Sequence, residues 1–589
     1  MQVENLRKIK CSLIEPYIGT YREHKVIVCD TETINGKPYS IQFYDGVITT
    51  LEYVNETNIF DVYCDYIASH YEKGMSVWFF YCQFDLPIIH YPFKEYFAVD
   101  NHNMGFGEFD FRYVTGKTWY GNHSYKKMAW FERDAYQYVF RGLAKVAKDL
   151  NLTQQKYDMP KFLGKRAWKN PQEQSDFELY AIQDVIVLWE LVYWILDLHR
   201  KFDVGLSVSL ADLAGKIFRK HHVKEPIEPT QQDVTVAALS SYHGGKTESY
   251  VQGVTLIKNI YEYDITSAYP FAMSQIGNFF EYTTKEWSKG KPLQKNAVYQ
   301  ISSESKCDYK PLYTETFKRE RVLDKQWVTG WELESALRHD CLLKYTVHQG
   351  YEMFSHYEKY NGLKNYVETF FARKQKADQE KNATERLSSK LFLNALYGKF
   401  ISKIQEEVDE LESWRGGVIF HPLIASLITG FVRAYVHDIE HQSLAFHTST
   451  DSFITKHDTL DSLFPGVNGL GGLKKEYHGD VLIVRPKVYV IFDKIDINCH
   501  HKFELDEKDV VVCRYCQARV LKSATHGFYG SVHMLLNMWK GGQKNYVINR
   551  MVRLKEAMRR RDPDVLPFVF TNHRRSLNVD WSTMNVRGI

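Results

Sequence analysis

Acidic side chains recur along the first 200 residues at spacings that suit divalent metal ions. Asp30 and Glu32 lie two apart in the apolar run VIVCDTET, so a strand would place both carboxylates on one face. Asp85 is predicted to end a second apolar strand, VWFFYCQFD, while Tyr180 and Asp184 are predicted to share one helical face. Four carboxylates and a phenol are the inventory that two-metal cleavage of a phosphodiester requires. For any one of these residues, a strand-end acid or an acid on a helix surface is the alternative explanation.

A second pair of acids lies further along the chain. Asp264 ends the predicted strand IYEYD and Asp451 lies at the predicted hairpin tip HTSTDSF, so the two could form another metal pair. Between them, one helical face is predicted to carry two cations, an amide and a phenol, at Arg386, Lys390, Asn394 and Tyr397. Cations neutralise phosphate and a phenol can stack on a base or ribose, so this face suits a nucleoside triphosphate. An exposed, solvated helix face is the alternative.

Thiols and an imidazole form a third constellation, at Cys499, His501, Cys513 and Cys516. Cys-x-x-Cys is a common half of a tetrahedral zinc site, so these residues could bind Zn²⁺. A hairpin with incidental cysteines is the alternative. Most of the 9 cysteines are scattered singly through apolar segments, which predicts reduced thiols in a reducing compartment rather than a disulfide framework.

The composition is that of a folded protein with several domains. The chain has 589 residues, of which 44% are hydrophobic and 15% aromatic, and this excludes disorder. Glu190 and Asp197 interrupt the longest apolar stretch, so no membrane span is predicted. Residues 1–20 carry scattered charges and no continuous apolar core, so no signal peptide is predicted there. The formal charge is only +3, but residues 541–589 form a basic patch. Its basic residues are Lys544, Arg550, Arg553, Lys555, Arg559, Arg560, Arg561, Arg574, Arg575 and Arg587.

The hydrophobic periodicity predicts the elements that must position these residues. Residues 25–60 read as hairpin-linked strands, and helices are predicted over 143–150 and 177–198, so a first α/β domain ends near residue 200. A polar linker with Pro226 and Pro229 follows, and residues 242–245 (YHGG) predict a sharp turn. A strand is predicted at 261–264, one long helical region at 363–400 and a strand pair at 446–455.

In this order, the motifs resemble those of family B DNA polymerases, specifically the protein-primed branch of small linear-genome phages and linear plasmids. Asp30-Thr31-Glu32, Asp85 and Tyr180-x-x-x-Asp184 resemble the three motifs of the proofreading 3′-5′ exonuclease. Lys156 resembles the supporting exonuclease lysine of this branch. Tyr242-x-Gly244-Gly245 resembles the motif that joins the two catalytic parts and contacts template DNA.

The polymerase motifs follow in the family's order. Asp264 and Asp451 resemble the metal ligands of the palm, and Tyr269 resembles the steric gate against a 2′-hydroxyl. The resemblance also implies that four residues of the fingers bind the incoming nucleotide: Arg386, Lys390, Asn394 and Tyr397. It implies that Lys487 and Tyr489 form the Lys-x-Tyr motif that holds the primer strand, and that Lys522 is a lysine near the thumb.

The resemblance implies an α/β multidomain fold, with an RNase H-like 3′-5′ exonuclease domain followed by a right-hand polymerase of palm, fingers and thumb. The implied order is 1–200 exonuclease, 201–260 linker and start of palm, 261–290 palm, 291–355 an insertion that contacts a terminal protein, 356–400 fingers, 401–525 palm with a zinc-like hairpin, and 526–589 thumb. It further implies two Mg²⁺ or Mn²⁺ ions per active site. Template and primer DNA, dNTPs and a terminal protein are the implied partners of a monomer in a host cytoplasm, without membrane attachment.

Departures from the family pattern keep other functions open. Ser449 stands where the second palm motif usually has an additional Asp, and Tyr81 stands where the second exonuclease motif usually has Asn. The segment from Lys399 to His421 is short where strand-displacing members carry an insertion. A nuclease without polymerase activity and a replication scaffold without catalysis are the alternatives.

Overall fold

The first part of the chain is built on a mixed sheet of eight strands. The structure is a computed structural model that describes residues 9, 11–93, 103–106, 109–113, 120–125, 128–251, 253–312, 321–355, 360–408, 411–464, 469–551, 570–577, 579, 581 and 584–587. The strands are β1 (Val26–Ile34), β2 (Lys37–Tyr44), β3 (Thr49–Tyr53), β4 (Ser76–Phe79), β5 (Asn103–Phe106), β6 (Phe109–Tyr113), β7 (Tyr120–Tyr125) and β8 (Met128–Asp134). Their order is β3-β2-β1-β4-β8-β7-β6-β5, and β4 runs parallel to both β1 and β8.

Five helices accompany this sheet: α1 (Ile59–Ser69), α2 (Cys82–Ile89), α3 (Tyr136–Val139), α4 (Leu143–Asp149) and α5 (Pro171–Lys201). The N-terminus of helix α5 is well defined, because the Asn170 side chain accepts a hydrogen bond from the Glu173 amide and Pro171 occupies the first turn. Among the described residues, α5 alone is long and apolar enough to cross a membrane, but most of its apolar stretch is buried inside the protein. It packs against β1, β2 and β3, as the core helix of a folded domain does.

A second sheet of eight strands forms the centre of the remaining chain. Its order is β23-β20-β19-β10-β18-β17-β9, and β26 pairs in parallel with β10. The strands are β9 (Thr247–Ser249), β10 (Val254–Ile265), β17 (His447–Ser449), β18 (Ser452–Thr455), β19 (Leu473–Arg485), β20 (Val488–Phe492), β23 (Val520–Thr525) and β26 (Met584–Arg587). The neighbouring helices are α6 (Leu210–Ile217), α7 (Gln232–Ser241), α8 (Ala268–Gln275) and α12 (Pro422–Ser443).

A smaller four-stranded sheet spans residues 282–355, so it includes the predicted insertion at 291–355 and also a strand from the segment predicted as palm. Its strands are β11 (Tyr282–Glu286), β12 (Ala297–Ser305), β13 (Val322–Thr329) and β14 (Leu342–Ser355), in the order β11-β14-β12-β13. Helix α9 (Gly330–Arg338) starts with a capping box between Thr329 and Glu332, and it packs on α12. The insertion is therefore joined to the central helices through α9.

Residues 363–400, predicted as one helical region, form two helices and a short 3₁₀ turn. Helix α10 (Gly362–Gln379) and helix α11 (Ala383–Ala395) pack side by side, and a 3₁₀ turn follows over Tyr397–Ile401. The chain reverses at residues 380–382, where Lys381 adopts φ 54° and the Asn382 side chain caps α11 at the Glu385 amide. Lys381 in the left-handed region and the Asn382 N-cap together explain how the helix breaks at residues 380–382, where the sequence has neither Gly nor Pro.

Three small hairpins and one helix complete the described chain: β15 (Lys403–Val408) with β16 (Leu411–Gly416), β21 (Phe503–Leu505) with β22 (Val511–Cys513), β24 (Asn545–Met551) with β25 (Phe570–Ser576), and α13 (Val532–Lys540). Half of the basic patch predicted over residues 541–589 lies outside the described residues, at Arg553, Lys555, Arg559, Arg560 and Arg561. Within the described part, Lys544, Arg574 and Arg575 are exposed.

One apolar core joins the two large parts. It contains Val26 and Trp78 from the first sheet and Phe431 and Phe453 from the central part. At the same boundary, the Thr384 hydroxyl of α11 donates to the Leu150 carbonyl after α4. The first part is therefore packed directly against the helical hairpin of α10 and α11.

Candidate active sites

Three acids of the first part converge as the sequence predicts. Strand β1 places Asp30 and Glu32 on one face, and Asp184 reaches the same point from α5. One carboxylate oxygen of each of the three lies within 4.8 Å of the others. Asp85 is adjacent, because its Oδ1 accepts hydrogen bonds from the Thr31 amide at 3.1 Å and from the Thr31 hydroxyl at 2.8 Å. We name Asp30, Glu32, Asp85 and Asp184 the first acidic cluster.

The local structure around Asp85 differs from the prediction that it ends a strand. Strand β4 stops at Phe79, and Asp85 lies in the first turn of α2. Tyr81 makes the turn between them with φ 75°, and its amide donates to Asp134 Oδ1 at 2.8 Å. The carboxylate is therefore buried beneath β1 by a helix rather than presented at a strand end.

Lys156 and Tyr180 flank the first acidic cluster. The Lys156 ammonium forms an ion pair with Asp184 Oδ2 and lies 5.0 Å from the centre of the Tyr180 ring. The attraction of Asp184, Asp30 and Glu32 raises the pKa of Lys156 although burial opposes it. A permanently charged lysine thus offsets part of the repulsion among the acids.

The acids of the first cluster hold their protons strongly in the absence of cations. Burial, then the negative charge of Asp184, raises the pKa of Asp30 to about 7, while Lys156 opposes the shift. Burial also raises the pKa of Glu32, Asp85 and Asp184. Asp85 Oδ2 and Asp184 Oδ1 are buried and have no hydrogen-bond partner among the described residues. A set of hard oxygen donors with unsatisfied lone pairs fits Mg²⁺ or Mn²⁺.

The second pair of predicted acids also meets. Asp264 of β10 lies opposite Ser452 of β18, and the Ile265 amide donates to the Asp451 carbonyl at 2.8 Å. Asp451 follows Thr450, whose φ of 64° forms the tip of the hairpin. Both acids line one cavity of about 820 Å³, which we name the palm cavity. Ser449, which replaces an additional acid, pairs with Ser452 at the start of the same hairpin.

The predicted helical face lines the opposite wall of the palm cavity, with Arg386, Lys390, Asn394 and Tyr397 all contributing. Arg386 forms an ion pair with Asp378 of α10, so this cation is partly neutralised. The Tyr269 and Tyr397 rings stack at 4.1 Å with an angle of 11° between their planes. Lys374, Lys474 and Glu476 also line the cavity, and sequence patterns did not indicate them. Cations and carboxylates therefore face each other across a space that can hold a small ligand.

Burial, and for Asp264 also the charge of Asp451, raises the pKa values of the two palm acids. Burial and then Asp451 raise the pKa of Asp264 to about 7, while Lys522 lowers it. Burial raises the pKa of Asp451 as well. Two half-buried carboxylates that repel each other are a donor set that a divalent cation would stabilise.

We expect Mn²⁺ to stabilise the protein more at pH 8 than at pH 6. The pKa of Asp264 rises from 3.8 to about 7 on folding, so without metal the folded state binds more protons than the unfolded chain between these values. Stability of the metal-free protein therefore falls as pH rises through this window, whereas metal binding needs the ionised acids. Melting temperatures measured with and without Mn²⁺ check this. An equal Mn²⁺ effect at both pH values would contradict it.

The segment 242–245 is not the sharp turn that its glycines predicted. Residues 242–246 run irregularly from α7 to β9, and neither Gly244 nor Gly245 has positive φ. Gly245 is required by close packing instead, because an added Cβ would lie 2.5 Å from Thr450 Cγ2 and 2.9 Å from the Tyr269 hydroxyl. An added Cβ at Gly244 would meet nothing within 4 Å. Tyr242 packs against the main apolar core. The segment thus lies directly against the palm cavity.

Arg433 holds this segment in place, and sequence reasoning missed it. Its buried guanidinium donates to the carbonyl of His243 at 2.6 Å and to Glu332 of α9 at 2.7 and 2.9 Å. A charge-assisted network of this kind orients the backbone strongly. The available signal was one arginine within the apolar run PLIASLITGFVRAYV.

Glu262 links the other predicted DNA-contacting residues. Its Oε1 accepts hydrogen bonds from the Tyr489 hydroxyl at 2.8 Å and from Lys522 at 2.9 Å. Glu262 lies two residues before Asp264 on β10, and this same-face spacing was the signal that could have revealed it. Lys487 lies apart from this group, at the β19–β20 turn, with φ 64°.

The predicted thiol and imidazole ligands also come together. Sγ of Cys513 lies 3.2 Å from His501 Nδ1 and 3.8 Å from Cys499 Sγ, and Cys516 Sγ lies 3.4 Å from His501 Nδ1. All four donor atoms lie within 4.8 Å of one another, beside the small β21–β22 hairpin. Three sulfurs and one nitrogen at this spacing fit tetrahedral Zn²⁺.

The prediction of reduced thiols is wrong for one pair. Cys307 and Cys341 are bonded as a disulfide, whereas the other cysteines form no disulfide: Cys11, Cys29, Cys64, Cys82, Cys499, Cys513 and Cys516. Cys307 follows β12 and Cys341 precedes β14, and these two strands are neighbours in the insertion sheet. Pairing of the strands brings together two cysteines that lie 34 residues apart.

Comparisons with known proteins show which families and structures this chain is similar to. Residues 143–413 match the family described as DNA polymerase type B, organellar and viral. A DNA polymerase of Acidianus bottle-shaped virus (isolate Italy/Pozzuoli) is 24% identical over 56% of this chain. The match spans 52% of that viral protein, about half of its length.

Solved structures extend the likeness to nearly the whole chain. Phi29 DNA polymerase with primer-template DNA matches with a TM-score of 0.68 and 15% identity, covering 94% of this chain and 100% of its own. Its ternary complex with primer-template DNA and incoming nucleotides matches with a TM-score of 0.65 and 16% identity, over the same shares of both chains. The resemblance to family B DNA polymerases is confirmed. The predicted fold, an exonuclease-like domain followed by palm, fingers and thumb, is also confirmed.

Proposed function

We propose that the chain is a DNA-directed DNA polymerase with a separate 3′-5′ proofreading exonuclease. The observation that carries the proposal is the palm cavity, where Asp264 and Asp451 face Lys390 and Arg386. Carboxylates for metal ions opposite cations for phosphates are what nucleotidyl transfer to DNA requires. The family match and the likeness to phi29 DNA polymerase with DNA and nucleotides support the same activity.

In synthesis, the residues of the palm cavity bind and orient the incoming dNTP. Mg²⁺ or Mn²⁺ held by Asp264 and Asp451 would activate the attacking hydroxyl and stabilise the departing pyrophosphate. Lys390 and Arg386 neutralise triphosphate charge, and Asn394 and Tyr397 pack against the nucleotide. Tyr269, fixed by stacking on Tyr397, excludes a 2′-hydroxyl.

In proofreading, the first acidic cluster holds the ions for hydrolysis of the last phosphodiester. Asp30, Glu32, Asp85 and Asp184 supply the oxygen ligands. Tyr180 would orient the attacking water, and Lys156 would position Asp184 through their ion pair and oppose the rise of its pKa that burial causes. Tyr81 replaces the family's usual Asn, so the primer terminus would be bound differently here.

DNA would pass between these two sites along the 242–246 segment and the central sheet. Gly245 lies close to Tyr269 at the palm cavity, and Tyr242, Gly244 and Gly245 would contact the template. Lys487 would hold the primer strand, and Tyr489, whose side chain is buried and donates to Glu262, would support the strand that carries this contact. Lys522, tied to Glu262, would stand beside its end. The exposed cations of the β24–β25 hairpin, Arg574 and Arg575, would grip phosphates as part of a thumb.

Lys390→Ala is expected to raise the KM for dNTP about tenfold or more, because a phosphate would lose a charged partner. Lys390 lines the palm cavity and projects from α11. Lys376→Ala is the matched control, since Lys376 is exposed on α10 and does not line the cavity. Steady-state primer extension at varied dNTP measures both. An unchanged KM in Lys390→Ala would remove this residue from the nucleotide site.

Initiation from a terminal protein is the further part of the proposal. The four-stranded insertion sheet and α9 provide a separate surface joined to α12, where such a partner could dock. The attacking group would then be a hydroxyl of that protein, and a primer 3′-hydroxyl afterwards. Labelling of a candidate terminal protein by a single dNTP, compared with extension of an ordinary DNA primer, tests this. The enzyme would act as a monomer in the cytoplasm of a host cell, on a viral or plasmid replicon.

We also propose that Cys499, His501, Cys513 and Cys516 bind one structural Zn²⁺. Cys513→Ser is expected to lower the zinc content by about one ion per chain and to lower the melting temperature, because the β21–β22 hairpin would lose its crosslink. Cys64→Ser, at a buried thiol of the first part that is not disulfide-bonded, is the control. A zinc content near zero in the unaltered protein would contradict the proposal.

A further inference from the structure

A second cluster of sulfur and imidazole donors lies where the insertion sheet meets helix α12. Cys307 and Cys341 come from the insertion, and His437 and His441 come from α12. Donor atoms of Cys307, Cys341 and His441 lie within 4.8 Å of one another. Cys341 Sγ lies 3.2 Å from His441 Nε2 and 3.8 Å from His437 Nε2. Both imidazoles therefore turn their Nε2 towards the Cys341 sulfur, and His441 lies close to Cys307 as well.

The surroundings hold these imidazoles in that orientation. His437 and His441 are four residues apart on α12, so they share one helical face. Ser335 Oγ lies 2.8 Å from His437 Nδ1, which leaves Nε2 for the cluster. The His339 ring stacks on His441 at 4.5 Å, and His339 Nε2 pairs with Asp438 at 2.9 Å. Hydrogen bonding of the outer nitrogen is the usual support of a histidine that binds metal.

Buried sulfur and imidazole groups are an unusual combination for a packing contact between an insertion and a helix. Cys341 and His437 are fully buried, and the Cys341 sulfur lies within 3.8 Å of a nitrogen of each of two imidazoles. Two thiolates and two imidazoles from separate segments are a recurrent ligand set of structural zinc. Arg433 of α12 forms an ion pair with Glu332 of α9, the helix that also carries Ser335. This ion pair would fix the position of α12, and therefore of its two histidines, relative to the insertion.

We propose that Cys307, Cys341, His437 and His441 bind Zn²⁺ after a dithiol reductant has transferred two electrons and two protons to the disulfide, giving two thiols and an oxidised, disulfide form of the reductant. The disulfide is the metal-free, oxidised state of the same pair. On binding, each thiol releases its proton to solvent and each sulfur forms a bond to the metal, with no change in the oxidation state of zinc. The ion would crosslink the insertion to α12, independently of the site at Cys513 and of the proposed polymerase activity.

Zinc counting on the full-length protein tests this proposal. The protein is purified with a thiol reductant and Zn²⁺, and native mass spectrometry counts bound zinc per chain. In a Cys513→Ser, Cys516→Ser background, which removes the other site, we expect about one zinc to remain. Adding Cys341→Ser or His441→Asn to this background should remove it, whereas Cys11→Ser should not.

Two results would overturn the proposal. One is a background protein without zinc whose mass shows Cys307 and Cys341 both reduced. The other is unchanged zinc after Cys341→Ser. If these variants fail to fold, the unaltered chain still decides, because Co²⁺ bound there and at the Cys513 site would show thiolate-to-cobalt absorption from five sulfurs rather than three. Absorption from three sulfurs alone, or from none, would likewise overturn it.

Discussion

Asp451→Ala is expected to reduce primer extension about 10³-fold or more while leaving 3′-5′ degradation nearly unchanged. Asp451 lies at the hairpin tip in the palm cavity, beside Asp264 and away from the first acidic cluster. Losing this carboxylate removes a ligand from the metal pair that would activate the attacking hydroxyl. Incorporation of labelled dNTP into a primed template measures the first activity, and shortening of an end-labelled strand measures the second.

The matched control for this variant is Asp458→Asn. Asp458 is an exposed acid seven residues further along the chain and lies outside the palm cavity. Extension should be retained in the control. If Asp451→Ala still extended a primer at the normal rate, Asp451 would have no catalytic role. If the unaltered protein degraded DNA but never extended a primer, the nuclease alternative would replace the proposal, and Ser449 in place of an acid would be the first residue to examine.

Asp30→Ala combined with Glu32→Ala is expected to abolish 3′-5′ degradation, by about 10³-fold or more, and to preserve extension. Both side chains lie within 4.8 Å of Asp184, so the double substitution removes two of the three acids that meet there. Misincorporated nucleotides should then accumulate during synthesis. The measurement compares degradation of a mismatched primer with extension of a matched one.

The control for the double variant is Glu52→Ala, an exposed acid on β3 of the same sheet. Removing two acids that repel each other should also raise the melting temperature of the metal-free protein, because burial and mutual repulsion raise the pKa of both groups. Loss of both activities together, with a lowered melting temperature, would indicate a folding defect rather than a damaged exonuclease site.

Alternation and helical spacing predicted the parts of both sites that lie on regular elements. The two-residue spacing of Asp30 and Glu32 required only a strand, and β1 supplies it. The same rule applied to β10 would have added Glu262 to Asp264. Asp85 was misplaced because the apolar run continues from β4 into α2, and a Tyr81 in the left-handed conformation has no sequence signal.

Other features depend on tertiary contacts that no local pattern contains. Arg433 contacts a loop and a helix that are distant in sequence, so only the fold shows what it orients. The helix breaks at residues 380–382 without Gly or Pro, and Asn382 caps the helix that follows. An Asn at this position predicts a helix start only weakly. The four ligands of the second zinc proposal come from opposite sides of a domain contact, and only one pair, His437 and His441, has a meaningful spacing.

The shared apolar core limits how such a protein can change over evolutionary time. Val26 and Trp78 pack in the same cluster as Phe431 and Phe453, so a deletion that removed either half would uncover apolar surface on the other. A lineage that lost one activity would therefore substitute a few acidic residues of that site and keep the inactive half, because that half stabilises the other by packing against it. Inactive but intact halves, rather than shortened genes, are what a survey of descendants should find.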